Sequence, residues 1–572
     1  MVSNALRQYG TVASDQVSTA TPGPSAASTE GGSTRLAVDV RRFGWIRPLA
    51  GDYAFDFDKV ASLYAGNPRS PGAWRDAIAR TRLAQRDREG IAAAVAAQQA
   101  RRAAPPAARE AAAKLTSPDT VAVVTGQQAG VFGGPLFTLL KAITAIQLAR
   151  RAASDHQAEV VTIFWVDAED HDWEEVASCT VLDAGFQART VSIPRPDGAG
   201  DLPVAALRLD SRIEQSIQEL SGVLPPTDFT ESTIAGLRAA YTFGTGMAEA
   251  FARWLETTLG PYGLIVFESS DPAAKPFVAE IFTRELETPG LTASLAAAAG
   301  EAFASLGHQP QVIPHPDSVS LFHLDGARRP IRRQDDRFVV GDRTCTIEEL
   351  RGEAARSPSR FSPNVLLRSI VQDALFPTIC YVAGPSELAY LGQLKDAYEH
   401  FGVPMPLMYP RASATLIDSA AARFLRRYEL PLEALQPQDE SVLNRMLASQ
   451  LPASVEQALK ETQETIHRGM ERLIDAMPAL DPTLAGAART TLGRMDHDLR
   501  GLHSKMIQAA KRRDETLRRQ FTRTQAQIFP LGHPQERTLG VIYFLNQYGP
   551  ALVERLMQEL PLDLGRHWVM TI

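Results

Sequence analysis

The sequence predicts an α/β protein: a core around a parallel β-sheet, two insertions into that core, and a helical hairpin near the C-terminus. Short β-branched runs alternate with stretches of helical periodicity between residues 121 and 409. Residues from about 177 to 240 and from about 290 to 360 interrupt that alternation. Beyond residue 450, two long runs repeat apolar residues mostly at intervals of three and four. Repeated strand–helix–strand order is typical of right-handed βαβ units around a parallel sheet.

The first βαβ unit begins at Val121–Thr125, a β-branched run that predicts a buried strand. A glycine-rich turn follows, and Pro135 then opens a helix, where its missing N–H costs little. Val160–Val166 is predicted as the second strand. The apolar residues of the helix keep helical spacing: Leu136, Leu139, Leu140, Ile143 and Ile146.

The same alternation continues as far as residue 409. Residues 246–259 are predicted as a helix and Leu264–Phe267 as a strand. The insertion at about 290–360 contains hairpin-like sequence such as SVSLFHLDGARRPIRR. The elements predicted after it are the strand Thr378–Ala383, the helix Ser386–Phe401 ending at Gly402, and the strand Pro406–Tyr409.

The last quarter of the chain changes to long helical periodicity. Its first apolar run contains Val455, Leu459, Ile466, Met470, Leu473 and Met477. Its second contains Leu492, Met495, Leu499, Leu502 and Met506. Because Asp481–Pro482 lies between the runs, two long helices paired as an antiparallel hairpin are predicted. Residues 529–572, beginning FPLGHPQER, return to mixed structure.

Composition argues against several classes of protein. The chain of 572 residues has a net charge of −7, so no basic surplus predicts nucleic-acid binding. No apolar run approaches a membrane span, and residues 1–32 lack the apolar core of a signal peptide. The cysteines Cys179, Cys345 and Cys380 are far apart, which argues against a disulfide framework or a cysteine-rich zinc site. We expect a cytoplasmic protein with a disordered leader, since residues 10–34 are small, polar and Gly/Pro-rich.

The first candidate binding site is the glycine turn, TGQQAGVFGGP at 125–135. Its glycines let the backbone approach a ligand closely, and the helix that follows directs free N–H groups at the turn, as in phosphate sites. The pattern is neither a Walker loop nor G-x-G-x-x-G, so a plain strand-to-helix turn is the alternative. Two glutamines add amide donors that a plain turn does not need. The candidate residues are Gly126, Gln127, Gln128, Gly130, Phe132, Gly133 and Gly134.

The second candidate is the acidic loop, DAEDHD at 167–172, at the expected carboxyl end of the second strand. With Glu174 and Glu175, six carboxylates lie within nine residues around His171. Their repulsion should raise at least one carboxyl pKa, and a histidine carries protons near neutral pH. Three interpretations stay open: a site for Mg²⁺ or a transition metal, a general acid/base and amine-binding site, and a solvated loop.

The third candidate is PNVLLRSIVQDALFPTICYVAGPSELAYLGQL at 363–394, which has polar residues on both sides of a predicted strand. Arg368 can clamp a carboxylate with two parallel bonds, or form an ion pair with Asp373. Ser386 is a good N-cap with Glu387 in the first turn, which is a structural role. The binding candidates of this stretch are Asn364, Arg368, Gln372, Ser386, Glu387 and Tyr390.

The fourth candidate is MYPRASATLID at 408–418, just past another predicted strand end. Arg411 and Ser413 are its binding candidates because a basic side chain here can meet a phosphate or carboxylate. A plain surface loop is the alternative. Cys380 lies in an apolar strand and is predicted to be core rather than a nucleophile. The histidines without a partner at recognisable spacing are predicted to be structural: His308, His323, His533 and His567.

Four stretches together resemble the BshC family, the cysteine ligases of bacillithiol biosynthesis. They are TGQQAGVFGGPLFTLLKAITAIQLA, FWVDAEDHDWEEV, LLRSIVQDALFPTICYVAGPSELAYLGQL and HPQERTLGVIYFLNQYG. The similarity runs from about residue 40 to the C-terminus, and the motifs stand in the expected order. The Ser/Thr-rich leader before residue 35 has no counterpart in the family.

The resemblance implies a fold and an activity that spacing alone does not. The fold is a Rossmann-like core with connecting-peptide-like insertions and a coiled coil that makes a homodimer. The activity is that of a ligase that adds L-cysteine to the glucosamine amine of glucosaminyl-malate, completing bacillithiol. The family also binds adenine nucleotide, so ATP or another adenine nucleotide is a candidate cofactor, and Mg²⁺ is left open. The domains expected are a leader at 1–35, a core at 36–424, a coiled-coil domain at 425–528 and a segment at 529–572 returning to the core.

The resemblance also implies roles for the candidate residues. Asp167, Glu169, Asp170 and His171 are the catalytic candidates, binding the α-ammonium of cysteine or taking a proton from the glucosamine amine. The glycine turn would hold the nucleotide or an anionic substrate, and the malate carboxylates would meet Arg368 and Arg411.

The core layout is similar to that of class I aminoacyl-tRNA synthetases as well. Gln127–Gln128 would take the place of their histidine signature, and Arg411–Ser413 that of their lysine–serine loop. The first turn lacks a histidine pair, however, and Lys141, two turns into the helix, is expected to point away from the site.

Two other functions remain as alternatives. One is a non-catalytic dimeric scaffold, in which the coiled coil is the working part and the core is a decayed nucleotide-binding module. The other is an amino-acid-activating or nucleotidyltransferase-type enzyme with a different acceptor. All three readings imply small-molecule ligands or self-association, and none involves nucleic acid or a membrane.

Overall fold

The computed structural model describes residues 27–30, 33–200, 202–315, 318–449, 451–481 and 483–572. These residues divide into two compact units. The first contains the described residues up to Leu416 together with Gln535–Met570, and the second is Ile417–Pro534. Across these ranges, no helix is long and apolar enough to cross a membrane.

The strands of the described residues form four sheets. In chain order they are β1 (Ala27–Glu30), β2 (Ser33–Asp39), β3 (Val121–Gln128), β4 (Val160–Asp167), β5 (Ser178–Leu182), β6 (Ala188–Ser192), β7 (Leu264–Glu268), β8 (Ser318–Leu324), β9 (Arg328–Gln334), β10 (Arg337–Val340), β11 (Arg343–Cys345), β12 (Phe361–Pro363), β13 (Thr378–Ala383), β14 (Leu407–Pro410), β15 (Ser413–Ile417) and β16 (Arg566–Thr571).

The α-helices of the first unit surround these sheets. They are α1 (Pro48–Phe55), α2 (Pro71–Leu83), α3 (Arg88–Arg102), α4 (Pro106–Ala113), α5 (Leu136–His156), α6 (Trp173–Val176), α7 (Arg212–Val223), α8 (Thr230–Ala240), α9 (Met247–Leu259), α10 (Ala279–Glu287), α11 (Leu291–Ser305), α12 (Ile347–Arg356), α13 (Val365–Leu375), α14 (Pro385–Leu391) and α15 (Lys395–Phe401).

The remaining helices divide between the units. Those of the second unit are α16 (Ser419–Arg427), α17 (Ser441–Ala448), α18 (Ala453–Ala476), α19 (Leu484–Arg513) and α20 (Glu515–Ile528). Those that return to the first unit are α21 (Gln535–Thr538), α22 (Val541–Tyr548) and α23 (Ala551–Glu559).

The central sheet is parallel throughout, as predicted, with the order β14-β13-β3-β4-β7. After β3 the chain adds β4 and then β7 on one side of β3. It later adds β13 and β14 on the other side. β3 and β13 are therefore the neighbours between which the winding reverses. In open α/β sheets, ligands bind outside the carboxyl ends of the strands at such a reversal point.

Helices cover both faces of this sheet because its strands are apolar on both sides. Val123 of β3 packs in one cluster with Ala145 and Leu148 of α5. Val124, the next residue, packs in a different cluster with Leu367 of α13. Burial of each such side chain contributes about 1.5–3 kcal/mol, so the sheet is held in the middle of the core.

The two interrupted stretches carry their own structure. Residues 177–240 contain the β5–β6 hairpin with α7 and α8. Residues 290–360 contain α11, α12 and most of an antiparallel sheet of order β11-β10-β9-β8-β12. The C-terminal strand β16 pairs antiparallel with β2, with Trp568 opposite Ala37.

The predicted helical hairpin is confirmed in the second unit. Its long helices are α18 and α19, which span 24 and 30 residues. His467 Nε2 lies 2.8 Å from Asp496 Oδ1, and His503 Nε2 lies 3.0 Å from Glu456 Oε1, so two polar contacts join the helices. Residue 482, part of the predicted break between the runs, lies outside the described residues.

Two local predictions need correction. The predicted helix 386–401 is two helices, α14 and α15. α14 ends at Leu391. At the next residue, Gly392, a Cβ would lie within 3 Å of Phe303 and Tyr64, so the chain passes too close for a side chain. Ser386 is not the N-cap either, because α14 already begins at Pro385.

The predicted leader 1–35 falls largely outside the part of the chain that the structure describes. Residues 1–26 and 31–32 are not described. Residues 27–30 form β1, and residues 33–35 open β2, which pairs with it antiparallel.

Candidate functional site

The candidate site lies at the carboxyl edge, which we define as the end of the central sheet formed by the last residues of its five strands. β3 and β13 stay paired as far as Thr125 and Val382, whereas β3 and β4 stay paired to Gln128 and Asp167. Gln127 therefore stands where β3 and β13 part. The sheet places side chains of β3, β4 and the helices after them around this point.

Lys141 is at the centre of the first cluster, which corrects the expectation that it points away. Its Nζ donates to Gly126 O at 2.8 Å and to Gln127 Oε1 at 3.2 Å, and it forms an ion pair with Glu387. Lys141 is 2% exposed. Burial lowers the pKa of its ammonium, and the Glu387 carboxylate opposes that shift.

Glu387 connects Lys141 to the other side of the reversal point. It accepts hydrogen bonds from the Tyr381 hydroxyl at 2.8 Å and from the backbone N–H of Gly384 at 2.7 Å. Burial alone would raise the pKa of this carboxyl, but Lys141 and the Gly384 N–H outweigh burial and hold it below its ordinary value. The carboxylate is therefore ionised and fixed at the start of α14.

Arg368 forms the second cluster. Its Nη2 donates to the Tyr390 hydroxyl at 2.6 Å, and its Nε lies 3.5 Å from Asp167 Oδ2. The alternative pairing of Arg368 with Asp373 is not the one observed, because Asp373 is buried and accepts from the Tyr398 hydroxyl at 2.5 Å. Arg368 thus reaches the acidic loop from the opposite side of the edge.

The acidic loop divides its carboxylates between the interior and the solvent. Glu169 is 5% exposed and forms an ion pair with Lys275. Burial raises the pKa of Glu169, Lys275 opposes the rise, and Asp167 adds a smaller rise by repulsion. One carboxyl pKa is therefore raised as expected, but burial and not repulsion is the main cause. Asp170 Oδ1 lies 3.4 Å from Arg328 Nη1 and 3.1 Å from His171 Nδ1. The His171 side chain is 52% exposed.

The rest of this segment is held by its flanking elements. Asp172 caps α6 by accepting from the Glu175 N–H at 3.2 Å. Gln128 Nε2 donates to Glu175 Oε2 at 2.6 Å, which links β3 to α6. Burial raises the pKa of Glu175, and Asp172 adds to the rise.

The glycine turn is closed on the side of the helix N-terminus. Leu136 N, the first N–H of α5, donates to Leu539 O at 2.9 Å, and Val541 N donates to Gly134 O at 2.9 Å. Phe132 is fully buried, and Gly133 has a φ of 91° and packs against the Trp254 ring. The turn therefore contacts the C-terminal segment of the same chain. Phe132 is a packing residue.

Arg411 and Ser413, predicted to bind ligand, instead lie in a closed cluster with Glu536. Arg411 makes two bonds to that carboxylate, at 2.9 and 2.6 Å, and is 7% exposed. Ser413 Oγ lies 3.1 Å from both Glu536 oxygens and 2.7 Å from His567 Nδ1. The proximity of Arg411 overcomes burial and lowers the pKa of Glu536 to about 2.

The other candidates have structural contacts. Asn364 caps α13 by accepting from Leu366 N and Leu367 N at 2.9 and 3.1 Å. Gln372 Nε2 donates to Asp373 Oδ1 at 3.0 Å, and both residues are buried. Ser386 is exposed beside Glu387.

Three residues of the edge were not found from the sequence: Lys141, Lys275 and Arg328. Lys141 did carry a signal, because it is the one charged residue between Leu136 and Ala149 in a helix buried on nearly all sides. An isolated charge in such a helix needs a buried partner. Lys275 and Arg328 carried none, since they lie more than 100 positions from the loop they contact.

The cations of the edge do not present a ready site for a nucleotide. In the described part of the chain each has a carboxylate partner: Lys141 with Glu387, Arg368 with Asp167, Lys275 with Glu169, Arg328 with Asp170, and Arg411 with Glu536. The first N–H of α5 is also bonded. A triphosphate would have to displace these partners. Within the same residues, no group of three or more His, Cys, Asp and Glu side chains is placed to hold a metal.

Comparison with known proteins gives matches over most of the chain. The family model for the N-terminal Rossmann-like domain of bacillithiol biosynthesis BshC matches residues 37–412, and that for its C-terminal coiled-coil domain matches residues 414–572. A relative from Salinibacter ruber named "Putative cysteine ligase BshC" is 34% identical over 527 residues, covering 91% of this chain and 95% of the relative.

Two further relatives carry the same name. The one from Symbiobacterium thermophilum is 34% identical, covering 84% of this chain and 89% of its own. The one from Chlorobaculum tepidum is 34% identical, covering 78% and 82%. A solved Campylobacter jejuni structure described as an arginyl-tRNA synthetase has 9% identity and a TM-score of 0.22, covering 75% of this chain and 92% of its own, and supports no inference. The fold, the two matched domains and these relatives show that the chain belongs to the BshC family of bacillithiol biosynthesis.

Proposed function

We propose that this protein adds L-cysteine to the glucosamine amine of glucosaminyl-malate, as the last step of bacillithiol biosynthesis. Its relatives are named cysteine ligases, and the family belongs to bacillithiol biosynthesis. The finer statement about substrate and step rests on the chemistry of the carboxyl edge. An amide ligase needs a base for the amine and donors for the carboxylates of its substrates.

The observation that carries the proposal is the exposed Asp170–His171 pair at the carboxyl edge. Asp170 Oδ1 accepts from the His171 backbone N–H at 2.7 Å and lies 3.1 Å from His171 Nδ1, so the carboxylate holds the imidazole beside it. In the proposed reaction Nε2 is the atom that accepts the proton. The amine must lose a proton to become the amide nitrogen. The carboxyl of cysteine would have to be activated, as an acyl phosphate or acyl-adenylate. As the amine nitrogen forms the C–N bond, the C–O bond to the activating group breaks and phosphate or AMP leaves with the electron pair, while His171 Nε2 takes the proton from the nitrogen.

Arg368 is the proposed partner of a malate carboxylate. Its Nε lies 3.5 Å from Asp167, which is longer than a charge-assisted hydrogen bond. A substrate carboxylate can therefore replace Asp167 on the guanidinium. The released Asp167 then faces the ammonium of cysteine or the glucosamine amine, which are the cations that the reaction brings to the edge.

Glu169 and Arg411 are given supporting roles in this proposal. Glu169 is buried against Lys275, so it anchors the acidic loop instead of meeting solvent. Arg411 is bonded twice to Glu536 and anchors the C-terminal segment. No residue of the described chain is assigned to hold the activating nucleotide or a metal ion.

We also propose that the chain forms a homodimer through the α18–α19 hairpin. Of the described hairpin side chains, none in α18 is buried, and Leu473, Met495 and Leu502 stay 47%, 38% and 50% exposed. Helices with an apolar stripe at intervals of three and four pair through that stripe. A second copy of the hairpin offers the same stripe and would cover it.

The proposed reaction is tested by thiol profiling in a bacillithiol-producing bacterium that lacks its own gene of this family. Thiols are labelled with bimane and identified by mass spectrometry. The deletion should accumulate glucosaminyl-malate and lose bacillithiol, and this chain should restore it. His171→Ala should lower turnover by about 10²–10⁴-fold.

His533→Ala is the matched control, because His533 is an exposed histidine outside the carboxyl edge. It should restore bacillithiol as the wild type does. Failure of the wild type to restore bacillithiol would contradict the reaction and direct attention to amino-acid-dependent pyrophosphate exchange. A change of less than about threefold in His171→Ala would remove His171 from the role of base.

A further inference from the structure

We propose that Lys141 is a positioning residue: it turns the side-chain amide of Gln127 so that its NH₂ group donates to a carboxylate of the substrate. This inference rests on the proposed function, because it names a recognition element for the carboxylates of L-cysteine and glucosaminyl-malate. It assigns no chemical step to Lys141, which is 2% exposed and reaches the substrate only through Gln127.

The contact between the two side chains decides the orientation of the amide. Lys141 Nζ lies 3.2 Å from Gln127 Oε1 and 2.8 Å from Gly126 O. An ammonium has three donors and no acceptor, so the atom facing it must be an oxygen. The Gln127 NH₂ group is then on the other branch of the planar amide. In the described part of the chain it donates to no protein atom.

Lys141 itself cannot rotate away from this role. Its ion pair with Glu387 and its bond to Gly126 O hold Nζ from two sides. Glu387 is fixed in turn by the Tyr381 hydroxyl and the Gly384 N–H. The orientation of one amide is therefore set by a buried network that joins β3, α5 and α14.

The neighbouring glutamine, Gln128, uses its NH₂ group inside the protein. Gln128 Nε2 donates to Glu175 Oε2 at 2.6 Å, so its NH₂ group is already engaged. Gln127 is thus the glutamine of the pair that keeps an available donor. It is half-buried, and it stands where β3 and β13 part, at the reversal point of the sheet.

A carboxylate is the ligand that fits this donor. The cations of the edge are paired within the protein. The neutral NH₂ group of Gln127 can therefore bind an anionic oxygen without displacing a buried ion pair. The ammonium of Lys141, which lies 3.2 Å from Gln127 Oε1, also polarises the amide and makes its NH₂ group a better donor. Hydrogen bonds to a charged acceptor are stronger than those to a neutral one.

The test measures binding to the purified protein by isothermal titration, with L-cysteine and glucosaminyl-malate as separate probes. Gln127→Glu keeps an oxygen for Lys141 but replaces the NH₂ donor with a negative oxygen. It should weaken binding of one of the two probes by about tenfold or more. Gln127→Met removes the donor without adding charge and should weaken the same probe. Gln157→Glu, the same change on an exposed glutamine, should leave both affinities unchanged.

A double-mutant cycle separates positioning from general support. Lys141→Met should weaken the same probe, and this effect should disappear in the Gln127→Met background, because Lys141 acts through that amide. If Lys141→Met fails to fold, the charge-neutral pair Lys141→Met/Glu387→Gln replaces it, since no buried charge is then left alone. Additive effects of Lys141 and Gln127 would overturn the positioning role.

The outcomes also separate this inference from the proposed function. Wild-type binding of at least one probe with unchanged affinity in Gln127→Glu and Gln127→Met overturns the inference alone. Wild-type binding of neither probe overturns the proposed function and the inference with it. Loss of one affinity identifies whether the carboxylate belongs to cysteine or to the malate group.

Discussion

At the residue scale, each charged side chain of the carboxyl edge takes its role from the partner that the fold gives it. Lys141 and Arg411 are both buried cations beside the reversal point. Lys141 is joined to Gln127, which has an available donor, whereas Arg411 is bonded to Glu536 and has no opening toward the edge. Both are buried basic side chains, so the partner makes the difference.

The buried His567 should make the protein less stable in acid. Burial lowers the pKa of its imidazole from the ordinary value of 6.5 to about 4, an effect that Arg411 assists and Glu536 opposes. Between these values the unfolded chain binds a proton that the folded chain does not. The free energy of unfolding is therefore highest above about pH 6.5 and falls as the pH drops toward 4, by about 3 kcal/mol in all.

Urea unfolding at several pH values checks this expectation. Glu536, whose pKa in the folded protein is lowered from 4.5 to about 2, stays ionised in the folded state but takes up a proton in the unfolded chain below about pH 5. It therefore adds to the loss of stability at the acid end of the window in both proteins, and the comparison with a His567 variant isolates the histidine. His567→Gln should show a flatter dependence between pH 6.5 and 4 than the wild type. Equal slopes for the two proteins would mean that His567 is not buried in its neutral form.

At the element scale, the C-terminal return of the chain closes the glycine turn. Gly540 N donates to Thr180 O at 2.8 Å, and Leu539 O accepts from the first N–H of α5. Residues 539–541 therefore join the N-terminus of α5 to β5. This contact explains why the turn, glycine-rich as it is, is not an open anion site on that side.

Gly540→Ala should loosen this closure. A Cβ at that position would lie 2.3 Å from Cys179 Sγ, although the backbone φ of −62° suits any residue. We expect a loss of about 1–3 kcal/mol in the free energy of unfolding, measured in urea. Adding Cys179→Ala should restore most of it, because the thiol causes the clash.

Gly222→Ala is the control for the glycine change. Gly222 lies in α7, and a Cβ there meets nothing within 4 Å. Alanine is the better helix former, so this variant should be neutral or more stable by up to about 1 kcal/mol. If Gly540→Ala behaved in the same way, the tight contact with Cys179 would be disproved.

At the scale of the whole molecule, the hairpin of the second unit determines the assembly we propose. Multi-angle light scattering should give twice the mass of one chain. The double variant Met495→Glu/Leu502→Glu places charges in the apolar stripe and should shift the mass toward one chain. Leu83→Glu, at a 78% exposed leucine of α2, should leave the dimer intact. A wild type with the mass of a single chain would refute the dimer.

The sequence by itself determined the architecture, because local patterns carry it. The β-branched runs of β3, β4 and β13 and the three-and-four spacing of α18 and α19 depend on neighbours along the chain, and the parallel sheet and hairpin predicted from them are confirmed. The acidic loop was also placed at the carboxyl edge by strand order alone.

Only the tertiary structure decided which of the candidate residues are available to a ligand. Glu536 lies 125 positions from Arg411, Lys275 lies 106 from Glu169, and Leu539 meets the first turn of α5 from the far end of the chain. Contacts between residues this far apart in the chain produce no periodic pattern from which they could be predicted. A buried charge must find its counter-ion through the fold, and that pairing decides whether it meets the substrate or supports a neighbour that does.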